Sequence, residues 1–289
     1  MKYLFFLFIA SSILYAQKIE LEILGSGGPE IDGRASSSYL LWIDNKARLL
    51  IDMGSGSMLR FEQSNAKLES LQAVVLTHLH IDHSVDLPSF IKAGYFSQRV
   101  NALDIIAPFG NEYFPSIDAY LQNLFGANGA YRYMQDVLTP QSDSFQILPV
   151  TIHSKNIIKK YYKDFSLELI NVYHGTVPAL AVRITIGDKS ILISGDTNNK
   201  NANLEKIAKN VDLFIAHHAI AQHAGKYAKR LHITPKQIAH IAHVGNVKKL
   251  VLSHRMKRTR TKEEESLKII SKKYKGIIIF AEDSMKIEL

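Results

Sequence analysis

Short apolar runs rich in Val, Ile and Leu recur along the chain, separated by glycine, proline and charged stretches. Ile19–Leu24 alternates apolar and acidic residues and predicts a first strand. Ser38–Ile43 and Ala47–Ile51 flank Asp44-Asn45-Lys46, the pattern of a hairpin. Residues 57–70 predict a helix, Ala73–Leu76 a buried strand, and Asp86–Tyr95 a second helix. Leu103–Ala107, 145–152 and 165–173 predict more strands, and Ala181–Ile186 with Ser190–Ile193 a second hairpin around Gly187-Asp188. Beyond them the pattern predicts a helix over Asn203–Asn210 and a strand over Val211–Ala216. Thr234-Pro235 then caps a helix through Val244, and Lys249–Ser253 is a strand. A charged helix over Lys262–Lys273 and a strand over Gly276–Phe280 close the chain.

One stretch departs from this alternation. The apolar run at Ala73–Leu76 stops at Thr77, and His78, His80, Asp82 and His83 follow within six positions. Side chains two apart on extended chain share a face, so His78 and His80 can meet one ion. Asp82 and His83 fall where the chain must turn and can aim at a second. Neutral imidazole and carboxylate suit zinc and similar metals. Three later strands also end on candidate ligands: His174, Asp196 in Ser194-Gly195-Asp196, and His254. Repeated strand-end ligands can gather along one edge of packed sheets.

Other residues stay open at this level. Asp52 follows a strand and is a functional carboxylate, a helix cap or the partner of a metal-bound histidine. His240 and His243 fall inside a helix and take no role. The aromatic stretch from Asn111 to Leu138 predicts helix and serves either as a lid over the site or as core. Gly25–Gly28 follows a strand, but Glu30 stands where a dinucleotide loop needs its last glycine.

Composition narrows the class. The 289 residues are 46% hydrophobic and 21% charged, with formal charge +8, ordinary for a globular protein with a sizeable core. Lysines and arginines cluster at Lys155–Lys163 and Lys248–Lys275, as a solvated face or an attraction for anions. Residues 1–16 have Lys2, an apolar stretch and a small residue at Ala16, the pattern of a signal peptide cleaved near Ala16. The apolar part is short for a membrane span. The expectation is a signal peptide over 1–16 and a mature domain over 17–289, periplasmic or secreted, with no stable span after cleavage. Absence of cysteine excludes disulfides and thiolate ligands.

These residues resemble the metallo-β-lactamase superfamily. Its His-x-His-x-Asp-His hallmark is complete at His78–His83, and the later histidine, Ser-Gly-Asp aspartate and strand-end histidine follow in order. The resemblance covers the mature chain and implies an α+β fold, an αββα sandwich of two mixed sheets flanked by helices. It implies that His78, His80 and His174 bind one ion, Asp82, His83 and His254 the other, with Asp196 bridging. Two Zn2+ per chain are expected, Mn2+ or Fe being alternatives. His232-Ile233-Thr234 and Leu252-Ser253-His254-Arg255 resemble motifs of ribonuclease Z, a layout shared by related arylsulfatases and cyclic-nucleotide phosphodiesterases. Asp82 and His232 are then the expected catalytic residues, His232 giving a proton or hydrogen bond to a substrate oxygen. His217-His218 departs from ribonuclease Z, which has a glutamate near position 218, and no tRNA-gripping arm is visible between Leu103 and Tyr173.

The implied function is an exported binuclear zinc hydrolase that attacks a small anionic ester, a phosphodiester or sulfate ester, with a hydroxide held between the ions. Transfer RNA is not expected as substrate. Relatives are often dimers, which leaves a homodimer open, and no stretch of the sequence identifies an interface. A lactone or other cyclic-ester hydrolase is the alternative reading, and a non-catalytic, metal-stabilised nucleotide-binding module a third. Substrate choice is expected to lie in His218, His232 and the aromatic segment.

Overall fold

The computed structural model describes residues 17–139, 145–154 and 156–289. The signal-peptide expectation for residues 1–16, and Lys155 of the first basic cluster, lie outside them. Two seven-stranded sheets are stacked face to face. The strands are β1 Ile19–Gly25, β2 Ser38–Ile43, β3 Lys46–Ile51, β4 Ala73–Val75, β5 Leu103–Pro108, β6 Ile147–Ile152, β7 Ile158–Tyr161, β8 Ser166–His174, β9 Val177–Ile186, β10 Lys189–Ile193, β11 Leu213–His217, β12 Lys249–Ser253, β13 Ile277–Phe280 and β14 Met285–Glu288. The helices are α1 Ser57–Gln63, α2 Ile81–Ser84, α3 Leu87–Gly94, α4 Ile117–Phe125, α5 Asn203–Ile207, α6 Lys226–Leu231, α7 Pro235–Val244, α8 Lys257–Arg260 and α9 Glu263–Lys273.

The first sheet runs β14-β1-β2-β3-β4-β5-β6 and the second β13-β12-β11-β10-β9-β8-β7. Each begins antiparallel and continues parallel: β3 to β6 in one, β10 to β13 in the other. Strands covered on both faces lose the polar alternation and become continuous apolar runs. β4 shows this in three residues. Ala73 and Val75 face the core between the sheets, and Val74 faces the layer beneath the first sheet's helices. Leu192, Phe214 and Leu250 likewise pack outward on α7 and α9, beside Ile238, Ile241 and Ile270. Each such fully buried aliphatic contributes roughly 1.5–3 kcal/mol. The result is the expected αββα sandwich.

Several elements differ from their predicted form. The predicted helix over 57–70 stops at Gln63, and Leu68–Ser70 is a 3-10 turn. The aromatic segment is one helix, α4, and a 3-10 stretch at Arg132–Leu138. β9 begins at Val177 because Gly175, with φ 66°, lets His174 pair directly with Val177. The chain does not end on the strand at Phe280: β14 crosses back and pairs antiparallel with β1, tying the two sheets. α6 and β7 are polar elements whose short, charged sequences carry no apolar period. Among the described residues no helix is long and apolar enough to cross a membrane.

Candidate metal centre

β3 and β4 run parallel, so Asp52 emerges beside the chain that leaves β4. Asp52 has φ 59°, a left-handed conformation that costs a non-glycine residue free energy and clusters at functional sites. Its carboxylate accepts from Thr77 N at 2.7 Å, Thr77 Oγ1 at 2.8 Å and His83 Nδ1 at 2.8 Å. Of the three roles open for Asp52, the structure selects the histidine partner.

The loop it supports meets the strand ends of the second sheet. Leu180 N in β9 donates to Thr77 O at 2.8 Å. Gly195, with φ 56°, fits where a Cβ would stand 2.5 Å from Leu180 O and 3.2 Å from Thr77 Cβ. That close approach brings Asp196 into the cluster. Gly28 is similar, since a Cβ there would lie 3.0 Å from His254 Cε1.

All seven residues assigned to metals from the sequence converge. His80 Nδ1 lies 3.0 Å from His78 Nε2 and 3.4 Å from His174 Nε2, and Asp196 Oδ2 is 3.7 Å from His174 Nε2. In the second group Asp82 Oδ2 is 3.2 Å from His254 Nε2 and 3.6 Å from His83 Nε2. Asp196 reaches this group too, Oδ1 standing 3.6 Å from His254 Nε2 and Oδ2 4.0 Å from His83 Nε2. Donors around a tetrahedral ion with bonds of about 2.0–2.1 Å lie about 3.3 Å apart. Both sets fit, and Asp196 is common to them.

Hydrogen bonding makes the same point. His83 Nδ1 is held by Asp52, His174 Nδ1 donates to Leu231 O at 2.8 Å, and His78 Nδ1 lies 3.2 Å from Thr77 Oγ1. Each ring therefore has Nδ1 engaged and Nε2 turned to the centre, the orientation of metal-ligating histidines. His83 Nε2 is buried with no hydrogen-bond partner. A cation at the centre satisfies it.

Charge is unequally spread. Burial holds the His78, His80 and His174 rings below the usual imidazole range. Burial also opposes protonation of His83, but Asp52 and Asp82 outweigh it and lift that ring to about 9. His254 is raised in the same way, by Asp196 and Asp82 against burial. Burial works against ionised Asp82 and Asp196 as well, yet the surrounding imidazoles keep both carboxyls low.

His232 follows α6 and places Nδ1 3.6 Å from Asp196 Oδ2, its ring between those of His174 and His254. Burial pushes it down to about 3. His217 is the residue left unassigned by the sequence that the structure brings in. It ends β11, and Nδ1 lies 2.8 Å from Asp196 Oδ1. His83, Asp196, His217 and His254 offer ligand atoms within 4.8 Å of one another. The signal was present, since His217 also closes an apolar strand. Its neighbour obscured it. His218 turns away, its Nε2 lying 2.9 Å from Ser266 Oγ in α9, which corrects the expectation that it helps choose substrate. Phe114 stands 5.7 Å from the His80 ring and Tyr113 is exposed, whereas Phe125 and Met134 are core. Among the described residues Phe114 alone of the segment's aromatics stands against the cluster, Phe125 and Met134 are packing, and Tyr131 and Tyr133 are exposed. His240 and His243 are exposed on α7, as expected.

The family model described as anti-Pycsar protein Apyc1 matches residues 19–272. Ribonuclease Z of Archaeoglobus fulgidus is 22% identical over 304 residues, covering 93% of this chain and 97% of that protein. Among solved structures, the metallo-beta-lactamase fold protein YhfI from Bacillus subtilis superposes with a TM-score of 0.71 at 19% identity, over 94% of this chain and all, 100%, of that one. Human tRNase Z, short form, superposes with a TM-score of 0.68 at 19% identity, over 93% and 98%.

Proposed function

The chain belongs to the anti-Pycsar protein Apyc1 family, with a metallo-β-lactamase fold and ribonuclease Z relatives, and from that premise we propose that it hydrolyses a small anionic phosphodiester with two bound zinc ions. The observation that carries the reading is a pair of donor groups sharing Asp196, one with His78, His80 and His174 and one with His83, His217 and His254. Asp82 lies 3.2 Å from His254 and 3.6 Å from His83, and the Nδ1 atoms of His78, His83 and His174 are already engaged. His78, His80 and His174 would hold one ion, Asp82, His83 and His254 the other. Two divalent ions less two carboxylates leave about +2 on the site, which favours an anionic ester. Bound there, they supply Lewis acidity and an activated water.

The chain's own groups do the rest. Asp52 orients His83, and the Leu231 carbonyl orients His174. His232 stands beside Asp196, where a substrate oxygen would approach, and offers it a hydrogen bond. Phe114 stands beside His80 and limits the approach on that side. Ribonuclease Z relatives act on RNA, by their name, and that favours a phosphodiester over a sulfate ester. The described part of the segment between β5 and β8 packs onto the body through Ile117, Leu121 and Phe125, which supports a small substrate over tRNA.

The test is metal analysis of purified protein with parallel assays on bis(p-nitrophenyl) phosphate, cyclic nucleotides, an aryl sulfate, a lactone and precursor tRNA. Phosphodiester turnover that tracks two zinc ions per chain is expected. Turnover of precursor tRNA, lactone or sulfate alone would overturn the substrate class. We also propose export, from the pattern of residues 1–16. Cell fractionation with N-terminal sequencing tests it, and a cytoplasmic chain that keeps Met1–Ala16 overturns it.

A further inference from the structure

Tyr39 lies in β2 and is fully buried in the core between the sheets, with its hydroxyl at the edge that carries the metal cluster. That hydroxyl is 3.0 Å from His217 Nε2 and 2.9 Å from Ser253 Oγ. Across the His217 ring, Nδ1 is 2.8 Å from Asp196 Oδ1. A carboxylate oxygen only accepts, so Nδ1 carries the proton. In a neutral ring Nε2 is then a bare acceptor, and the group placed to donate to it is the Tyr39 hydroxyl. Tyr39 has one proton to give. Its contact with Ser253 is then supplied by the serine hydroxyl, whose hydrogen is free to rotate.

We propose that Tyr39 is a positioning residue that holds His217 as the Nδ1–H tautomer, so that His217 donates to the outer oxygen of Asp196 and is not a further metal ligand. The inference rests on the two-ion reading of the site. His217 is otherwise a credible ligand, because its ring stacks on His254 at 5.1 Å and it falls within the second donor set. With Nδ1–H engaged by Asp196 Oδ1, Oδ2 is left facing His174 and His83, which would hold the ions, while Oδ1 also stands 3.6 Å from His254 Nε2. Asp196 Oδ1 by itself favours the Nδ1–H tautomer, and the tyrosine hydroxyl reinforces it by supplying a donor to the Nε2 left bare at the other end of the ring. Groups hydrogen-bonded directly to a ligand, as His217 is, typically change metal affinity about tenfold to a hundredfold, and Tyr39 acts one bond further out.

The experiment measures zinc affinity by chelator competition in the full chain for Tyr39→Phe, His217→Asn, His217→Ala and the Tyr39→Phe/His217→Asn pair, with long-range 1H–15N spectra of the histidines. Asparagine keeps an N–H donor where Nδ1 stands. Tyr39→Phe is expected to weaken zinc several-fold, up to about tenfold, and to shift the His217 15N resonances as Nε2 loses its donor. In the His217→Asn background it should do nothing further, since Tyr39 acts through the ring. Equal weakening in both backgrounds, or unchanged His217 resonances with unchanged affinity, overturns the proposal. Should Tyr39→Phe fail to fold, the other pair decides. His217→Asn keeping two ions while His217→Ala binds them weakly supports a donor, and loss of an ion in both marks a ligand. Zinc bound without phosphodiester turnover sinks only the substrate reading. A wild-type chain that takes up no zinc sinks the metal reading and this one together.

Discussion

The two sheets share a plan, an antiparallel part followed by parallel strands, yet they supply the metal cluster in unlike ways. The first delivers His78, His80, Asp82 and His83 from one turn after β4, held from below by Asp52. The second delivers His174, Asp196, His217 and His254 one at a time, each from the end of a different strand. A local turn can be rebuilt without moving the sheets. Strand-end ligands are only as well placed as the register of β8 to β12. The first arrangement therefore concentrates chemistry in sequence, and the second couples it to the stability of the whole sheet.

The largest effect is expected where the two arrangements meet. Asp196→Ala removes the donor common to both sets and should lower kcat/KM at least about 10³-fold, with metal content falling below two ions per chain. Retained activity and two ions would break the idea of a shared ligand. Next comes a contrast within the cluster. His254 is buried against Asp82 and Asp196, and His254→Ala leaves both carboxylates short of a partner. Its metal-free form should lose roughly 3–5 kcal/mol in urea unfolding. His80 stands at the half-buried mouth. His80→Ala should cost metal and activity but less than about 1 kcal/mol of metal-free stability. Equal losses in the two variants would erase the distinction.

A smaller change probes the support under the local turn. Asp52→Asn keeps the size but not the charge that orients His83, and zinc affinity should fall about tenfold to a hundredfold by competition titration. Smallest is a test of the strand-end half far from the metals. Asp212 accepts from Ser190 N at 2.8 Å and from Lys248 Nζ at 2.7 Å, stitching β10, β11 and the approach to β12. Burial alone would raise this carboxyl, but Lys248 and the Ser190 N–H outweigh it and hold it below its ordinary 3.8. A lowered carboxyl stabilises the fold above its ordinary value and loses that contribution as pH falls through the folded value. Asp212→Asn should thus cost about 1 kcal/mol near neutral pH. The gap between wild type and variant should narrow below about pH 4, as read by urea midpoints across pH. A gap that widens in acid would show that the carboxylate does not act through its charge.

How legible each half was follows from the same difference. His78 to His83 announce themselves because an apolar run gives way abruptly to ligands at metal spacing. His174, Asp196 and His254 were legible only as a repeated coincidence of strand ends. His217 carried the same mark but sat beside His218, and no linear pattern separates a ring aimed at Asp196 from one aimed at Ser266. The strand β14 was missed because Met285–Glu288 alternates too briefly to stand out, and its partner β1 is far away in sequence.

The sequence by itself determined most of the strands and helices and the ligand types, because apolar period, turn residues and imidazole spacing are local properties of the chain. The layering was implied only by the family resemblance. Tertiary structure alone decided which nitrogen of each histidine faces the centre. It also made Asp52 a partner of His83 and put Tyr39 behind His217. Those outcomes depend on hydrogen-bond partners supplied by other strands, in a buried space where each polar atom must find one.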